Sequence, residues 1–277
     1  MEASSEYPTN ADVVLIHGLW MTPKSWENWI DRFESRGFRA IAPAWPGLEG
    51  RSPEELRRDP APLADIDAEK ILHHYERIIR AQERPPIIMG HSFGGAFVQV
   101  LLDRGLGSAG VGIDAATTKG VLKLPLSTLR SSFPVLRNPR NNHKAVPQTP
   151  EQFHYAFGNT LSEEESKKVY DRYNVPAAAT VLFEGATANF SRHSPFEVDY
   201  DKDDRAPLLF IAGGDDHVVP AAANRANVKH YKHSDSVVDY KEFPGRSHYT
   251  VGQEGWEEVA DYALDWAVEH SGARAAA

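Results

Sequence analysis

Ser92 lies at the centre of Gly90-His91-Ser92-Phe93-Gly94, and what flanks that pattern gives it weight. The apolar run Pro86-Ile87-Ile88-Met89 precedes it. A helix-patterned segment follows, with Phe97, Val98, Leu101 and Leu102 on one face and Gly105 as a stop. A strand, one serine and a helix form the context in which a G-x-S-x-G sequence presents a nucleophile on a strained turn. The helix also points its free N-terminal N–H groups at that serine, where developing negative charge is stabilised. A serine hydroxyl attacks only when a base takes its proton and an acid orients that base, so a histidine and a carboxylate are required. Both are expected later in the chain, on loops at the C-terminal ends of strands. Of the late histidines only His248, in Pro244-Gly245-Arg246-Ser247-His248, follows a strand. His230 and His233 sit in a polar, helix-like segment, His270 ends the terminal helix, and His217 adjoins the candidate acids. For the acid, Phe210-Ile211-Ala212-Gly213-Gly214-Asp215-Asp216 offers two adjacent aspartates, with Asp114 a third choice at the end of the preceding strand. An oxyanion hole needs two backbone N–H groups. Phe93, the residue after the nucleophile, supplies one, and Leu19 in His17-Gly18-Leu19-Trp20 the other, with Gly18 allowing a tight approach. In that loop His17 acts as a brace, and Trp20 walls the site.

The elements that hold these residues alternate. Val13-Val14-Leu15-Ile16 reads as a buried strand, and Thr22-Pro23 opens a helix carrying Trp26, Trp29, Ile30 and Phe33, closed by Gly37. Further strands are expected at 38–42, 86–89, 109–115, 208–212 and 237–243, with helices over 66–80 and, bearing Trp256, Val259, Tyr262, Ala263 and Trp266, at the C-terminus. Such alternation predicts a doubly wound, mostly parallel α/β sheet of about six strands. Between the strands near Ala115 and Leu208 lie about ninety residues without a βα rhythm, too many for a connection. This stretch is expected to be a helical cap over 117–200, dividing the core into 1–116 and 201–277. Two capping-box sequences within it, Thr149-Pro150-Glu151-Gln152 and Ser162-Glu163-Glu164-Glu165, support helices there. Of its aromatics, Phe153 and Phe157 are expected to line the substrate pocket together with Trp20.

At 277 residues and 41% apolar composition the chain can build a large core. A net charge of −9 argues against nucleic acid and anionic membrane surfaces as partners, and favours a small, neutral or apolar substrate. No apolar run is long enough to span a membrane, and Met1 to Glu6 lack the basic and apolar regions of an export signal, so a cytoplasmic enzyme is expected. The absence of cysteine excludes disulfides, thiolate zinc sites and cysteine nucleophiles. His73-His74 and His230-Tyr231-Lys232-His233 are weak signals for metal ligation, and no metal site is expected.

Taken together, His17-Gly18, Gly90 to Gly95, Gly213-Gly214-Asp215-Asp216 with Val218-Val219-Pro220, and Gly245-Arg246-Ser247-His248 resemble the α/β-hydrolase fold superfamily, from Val13 to near His270. The resemblance implies a triad of Ser92, Asp216 and His248 under a cap; Asp216 is preferred to Asp215 because it precedes Val-Val-Pro as in that superfamily. With about ten residues before the first strand, the antiparallel N-terminal hairpin of many members is not expected. The implied activity is cofactor-free hydrolysis of a carboxylic ester or lactone through an acyl-enzyme. A serine rather than a carboxylate at the elbow argues against haloalkane dehalogenase and epoxide hydrolase chemistry. Same-fold lyases or cyclases using the triad as acid and base, and a ligand receptor without turnover, stay open as alternatives. Oligomeric state is not fixed, a homodimer being compatible with the sequence.

Overall fold

The computed structural model describes residues 7–123 and 125–272. In chain order its strands are β1 (Val13–Ile16), β2 (Ala40–Ile41), β3 (Ile87–His91), β4 (Ala109–Ile113), β5 (Ala145–Val146), β6 (Ala177–Ala178), β7 (Leu208–Gly213) and β8 (Val238–Phe243). Six of them form one sheet in the order β2-β1-β3-β4-β7-β8, and every pairing in it is parallel. The helices are α1 (Glu27–Ser35), α2 (Pro53–Arg58), α3 (Ala61–Ala64), α4 (Ala68–Arg80), α5 (Phe93–Asp103), α6 (Leu126–Leu136), α7 (Pro150–Ala156), α8 (Glu163–Tyr173), α9 (Ala179–Thr187), α10 (Ala221–His230) and α11 (Trp256–Ser271).

Strands that are apolar at every position must be covered on both faces. Val13 and Leu15 of β1 join Ile87, Met89, Val111 and Ile211 in a core closed by Trp29 and Phe33 of α1 and by Val259, Ala263 and Leu264 of α11. Val14 and Ile16 face the other way, with Ile88, Leu208 and Phe210, against Ile71, Leu72 and Tyr75 of α4 and Phe97, Val98 and Leu101 of α5. The chain leaves β1 toward β2 on one side and reaches β3 on the other. The C-terminal ends of β1 and β3 therefore flank the point where strand order reverses, the crevice in which doubly wound sheets bind ligands.

Two strands are shorter than the sequence predicts by two residues or more. Edge strand β2 stops at Ile41, just before Pro43, which has no N–H for a ladder. β4 ends at Ile113 because Asp114 turns to a positive φ of 46° and folds its carboxylate onto the Gly213 amide. The stretch between β4 and β7 is not wholly helical: β5 and β6 pair as a short antiparallel ribbon among α6 to α9. Both expected capping boxes close there, Thr149 with Gln152 and Ser162 with Glu165, and an unanticipated one, Ser52 with Glu55, starts α2. No helix among the described residues is long and apolar enough to cross a membrane.

Candidate active site

Ser92 is held where few residues sit willingly. Its φ of 57° and ψ of −119° lie outside the broad allowed regions for an L-residue, and strain of that kind persists only where neighbours enforce it. Here the Ser92 amide donates to Ile113 O (2.9 Å), while Ser92 O accepts from the amides of Gly95 (2.9 Å) and Ala116 (3.0 Å). The glycines are dictated by contact. A Cβ on Gly90 would lie 2.2 Å from Gly94 O, and one on Gly94 would lie 2.1 Å from Ile16 O, so neither position accepts a side chain. The loop after β1 presses on the same point, since a Cβ on Gly18 would come within 2.8 Å of both His91 O and Ser92 Cβ. His17 braces this loop as a neutral ring: Nδ1–H donates to Gly18 O (3.0 Å), Nε2 accepts from the Trp45 amide (3.3 Å), and the ring stacks on Trp45. Burial holds its pKa down at about 4.

Of the two adjacent aspartates, Asp215 is exposed in the turn and Asp216 is buried. Asp216 Oδ1 accepts from the amides of Val218 (2.6 Å) and Val219 (2.9 Å), and Oδ2 lies 2.7 Å from His248 Nδ1. Both side chains are fully out of water. Burial pushes Asp216 up, to about 7, against the pull of the two amides, and pushes His248 down, to about 3. The imidazole is therefore uncharged near neutrality, with Nδ1–H donated to Asp216. Its Nε2 has no hydrogen-bond partner among the described residues. The His248 loop is fixed on all sides: Thr250 Oγ1 donates to Ser247 O (2.6 Å), the Tyr249 amide to Phe157 O (3.1 Å), and His91 Nε2–H to His248 O (2.8 Å). This last bond ties the His248 loop to the residue immediately before Ser92, and the two imidazoles lie 4.6 Å apart.

Asp114 is close as well, with nitrogens of His91 and His248 and an oxygen of Asp114 all within 4.8 Å of one another. It is not the partner of His248. Its Oδ1 accepts from the Gly213 amide (2.6 Å), which joins the ends of β4 and β7, and burial raises its pKa, further so beside Asp216. His91 has no role legible in the sequence beyond its place in the pattern. Nothing in its type announces the long-range bond to the His248 backbone.

Ser92 opens into a cavity of about 250 Å³, largely apolar, walled by Trp20, Phe93, Leu129, Leu136, Leu182, Val218 and Val219 among others, with Lys123, Ser132 and Asn189 among its polar points. Trp20 lines it, on a strained backbone with φ of 65°. Phe153 and Phe157 do not line it. Phe153 is fully buried, its ring stacked on Phe157 (4.9 Å between centroids, 4° between planes) and edge-on to Tyr170. Phe157 sits edge-on to the His248 ring at 4.8 Å and to Trp20 at 6.0 Å. Both form a supporting layer behind His248, because α7 turns its apolar stripe toward α8 and leaves the cavity to α6 and α9. The signal for α6 was present in the sequence as the spacing Thr128, Ser132 and Leu136.

Comparison with known proteins agrees with this architecture. The profile of the "Alpha/beta hydrolase family" matches residues 13–262. No curated protein sequence matches the chain. Among solved structures, an extracellular alpha/beta-hydrolase of a Paenibacillus species, described as sharing structural and functional homology with tobacco salicylic acid binding protein 2, superposes with a TM-score of 0.67 at 20% identity, over 94% of this chain and 98% of that one. The monoacylglycerol lipase of Paleococcus ferrophilus gives 0.63 at 19% identity, over 94% and 96%. A pyrethroid hydrolase of Sphingobium faniae gives 0.60 at 20%, over 96% and 100%. At these identities the structures are alike in fold, and with the profile matching nearly the whole chain, the protein belongs to the alpha/beta hydrolase family.

Proposed function

We propose that the protein is a cofactor-free serine hydrolase that cleaves carboxylic esters or lactones with an apolar acyl or ring portion. One observation carries the reading: a buried His248 is held by Asp216 at 2.7 Å, its Nε2 is unengaged, and its loop is seated against the elbow that presents Ser92 to an apolar cavity. In the proposed cycle His248 Nε2 takes the Ser92 hydroxyl proton as Oγ attacks the carbonyl carbon. The resulting oxyanion accepts hydrogen bonds from the Phe93 and Leu19 amides, each worth about 3 kcal/mol. His248 then gives the proton to the departing alcohol oxygen, leaving an acyl-Ser92 ester. Water attacks that ester with His248 again as base, releasing the acid and restoring Ser92. Asp216 keeps the proton on Nδ1 and stabilises the transient imidazolium, while its own Oδ1 is fixed by two amides. The cavity wall, including Trp20, takes the apolar part of the substrate at about 25 cal/mol per Å² buried.

A fluorophosphonate probe is expected to label Ser92, located by peptide mass mapping. Ser92→Ala is expected to keep the thermal midpoint of the parent and to lose hydrolysis of p-nitrophenyl butyrate. Labelling at another serine, or a fully active Ser92→Ala, would overturn the assignment.

A further inference from the structure

The charge of −9 hides a local reversal. Residues 115–150 contain six basic side chains, Lys119, Lys123, Arg130, Arg137, Arg140 and Lys144, and no Asp or Glu. Among the described residues only Lys119 of the six is paired with a carboxylate, Glu197 at 2.9 Å. The other five are exposed. Interleaved with them are large apolar side chains that the fold leaves in water: Leu122 is 79% exposed, Leu126 84% and Phe133 59%, with Phe190 at 88% beside them across the cavity mouth. Leu126, Leu129, Arg130, Phe133 and Arg137 follow at i, i+3, i+4, i+7 and i+11, so α6 and its C-cap carry one outward stripe that is both apolar and basic. Ser131, Ser132 and Val135 occupy the opposite, buried side.

A single exposed leucine calls for no explanation, but several on one face form an interaction surface. We propose that α6, with Leu122 and Lys123 ahead of it, docks on an anionic lipid surface, with the mouth of the Ser92 cavity turned toward the lipid. Three observations select this occupant. First, an apolar stripe bordered by cations that no carboxylate neutralises, Arg130 lying over the Tyr155 ring and Arg137 in solvent, is the composition of a helix lying in a lipid interface, where acyl chains take the apolar groups and headgroup anions the cations. Second, the stripe is continuous with the cavity, because Leu129 belongs to both and the exposed Leu122 and Phe190 also line the cavity. Third, a second copy of the chain is a poor fit, since a two-fold contact would set the same cations against one another. The proposal reverses the expectation drawn from net charge alone.

Flotation with vesicles of phosphatidylcholine, with and without phosphatidylglycerol, tests this on the full chain carrying Ser92→Ala, so that binding is read without turnover and independently of the hydrolase reading. The expected result is binding to the anionic vesicles that weakens in high salt and is at least about tenfold lower without phosphatidylglycerol. Arg137→Glu with Arg140→Glu should lower binding about twentyfold or more, each reversal removing at least the roughly fivefold that one cation contributes at such a surface. Leu126→Glu with Phe133→Glu should abolish it. In a background with Ser92 intact, both pairs should hydrolyse a short soluble ester at the parental rate, which rules out misfolding. Absence of binding to anionic vesicles, or equal binding by the parent and both double variants, overturns the proposal. So does a dimer in sedimentation that Leu126→Glu with Phe133→Glu dissolves while no vesicle binding is seen, which would make the stripe a self-contact.

Discussion

At the scale of single residues the site turns on which carboxylate holds His248, and sequence and geometry answer by different routes. In the sequence Asp215 and Asp216 are adjacent and chemically identical, and only resemblance to other sequences ranks them. In three dimensions they differ completely, Asp215 exposed in the turn and Asp216 buried with both oxygens engaged. Asp216→Asn should therefore lower kcat on a soluble ester by a factor on the order of 10⁴, because an amide at that position no longer favours the Nδ1–H tautomer or the imidazolium. Asp215→Asn should change it by less than about threefold, since the residue's structural bonds run through its backbone N–H and C=O. Steady-state kinetics on both variants, with circular dichroism for fold, decides the matter. A larger loss in Asp215→Asn, or mild losses in both, would mean that another carboxylate serves, and Asp114 is the one within reach.

At the scale of elements, legibility follows how local the cause is. β1, β3 and β7 were readable because a parallel strand covered on both faces must be apolar at each position, and the elbow was readable because its turn brings Gly90 against Gly94, four positions on, and Gly94 against the end of β1, so that glycine is forced within one short pattern. The pocket wall was not readable, since facing the cavity depends on how α6, α7 and α9 lie across the sheet, which no local pattern encodes. Aromatic content suggested α7, yet Phe153 packs on Phe157 and Tyr170, and the wall falls to aliphatic residues of α6 and α9. The two roles separate experimentally. Phe153→Ala should cost about 3–5 kcal/mol of stability, as for a fully buried aromatic, while leaving the ratio of kcat/KM between butyrate and acetate p-nitrophenyl esters nearly unchanged. Leu129→Trp, at a partly exposed wall position, should cost little stability and shift that ratio toward the shorter acyl group by narrowing the cavity. Urea midpoints and the two-ester comparison read both effects; a change of selectivity in Phe153→Ala with none in Leu129→Trp would restore α7 as the wall.

Across the whole molecule, placing the site at the reversal of strand order packs three histidines into a dry core, and this has a consequence for acid stability. His17, His91 and His248 are all buried, and burial lowers all three from the ordinary 6.5, His17 to about 4. A histidine that is neutral when folded takes a proton on unfolding, so below pH 6.5 the unfolded chain binds more protons than the native one. Stability from this source is complete above pH 6.5 and is lost as pH falls toward the folded value. Asp114 and Asp216 act in the opposite sense, their raised values keeping protons in the folded state that the unfolded chain has released, so the measured curve is a sum of opposing slopes. A difference between variants isolates one contribution. His17 is suited to this because it is the brace of the β1 loop and takes no proton in the proposed reaction. Its shift from 6.5 to about 4 corresponds to about 3 kcal/mol lost between those pH values. His17→Asn removes the titrating group, and any packing loss it causes displaces its stability curve by a constant. Urea unfolding at half-unit steps from pH 7 to pH 4 should thus show the gap between parent and His17→Asn closing by about 3 kcal/mol as the pH drops. A gap that stays constant over that range would mean that His17 is already solvated, and that the loop beneath Ser92 is braced by Trp45 packing alone.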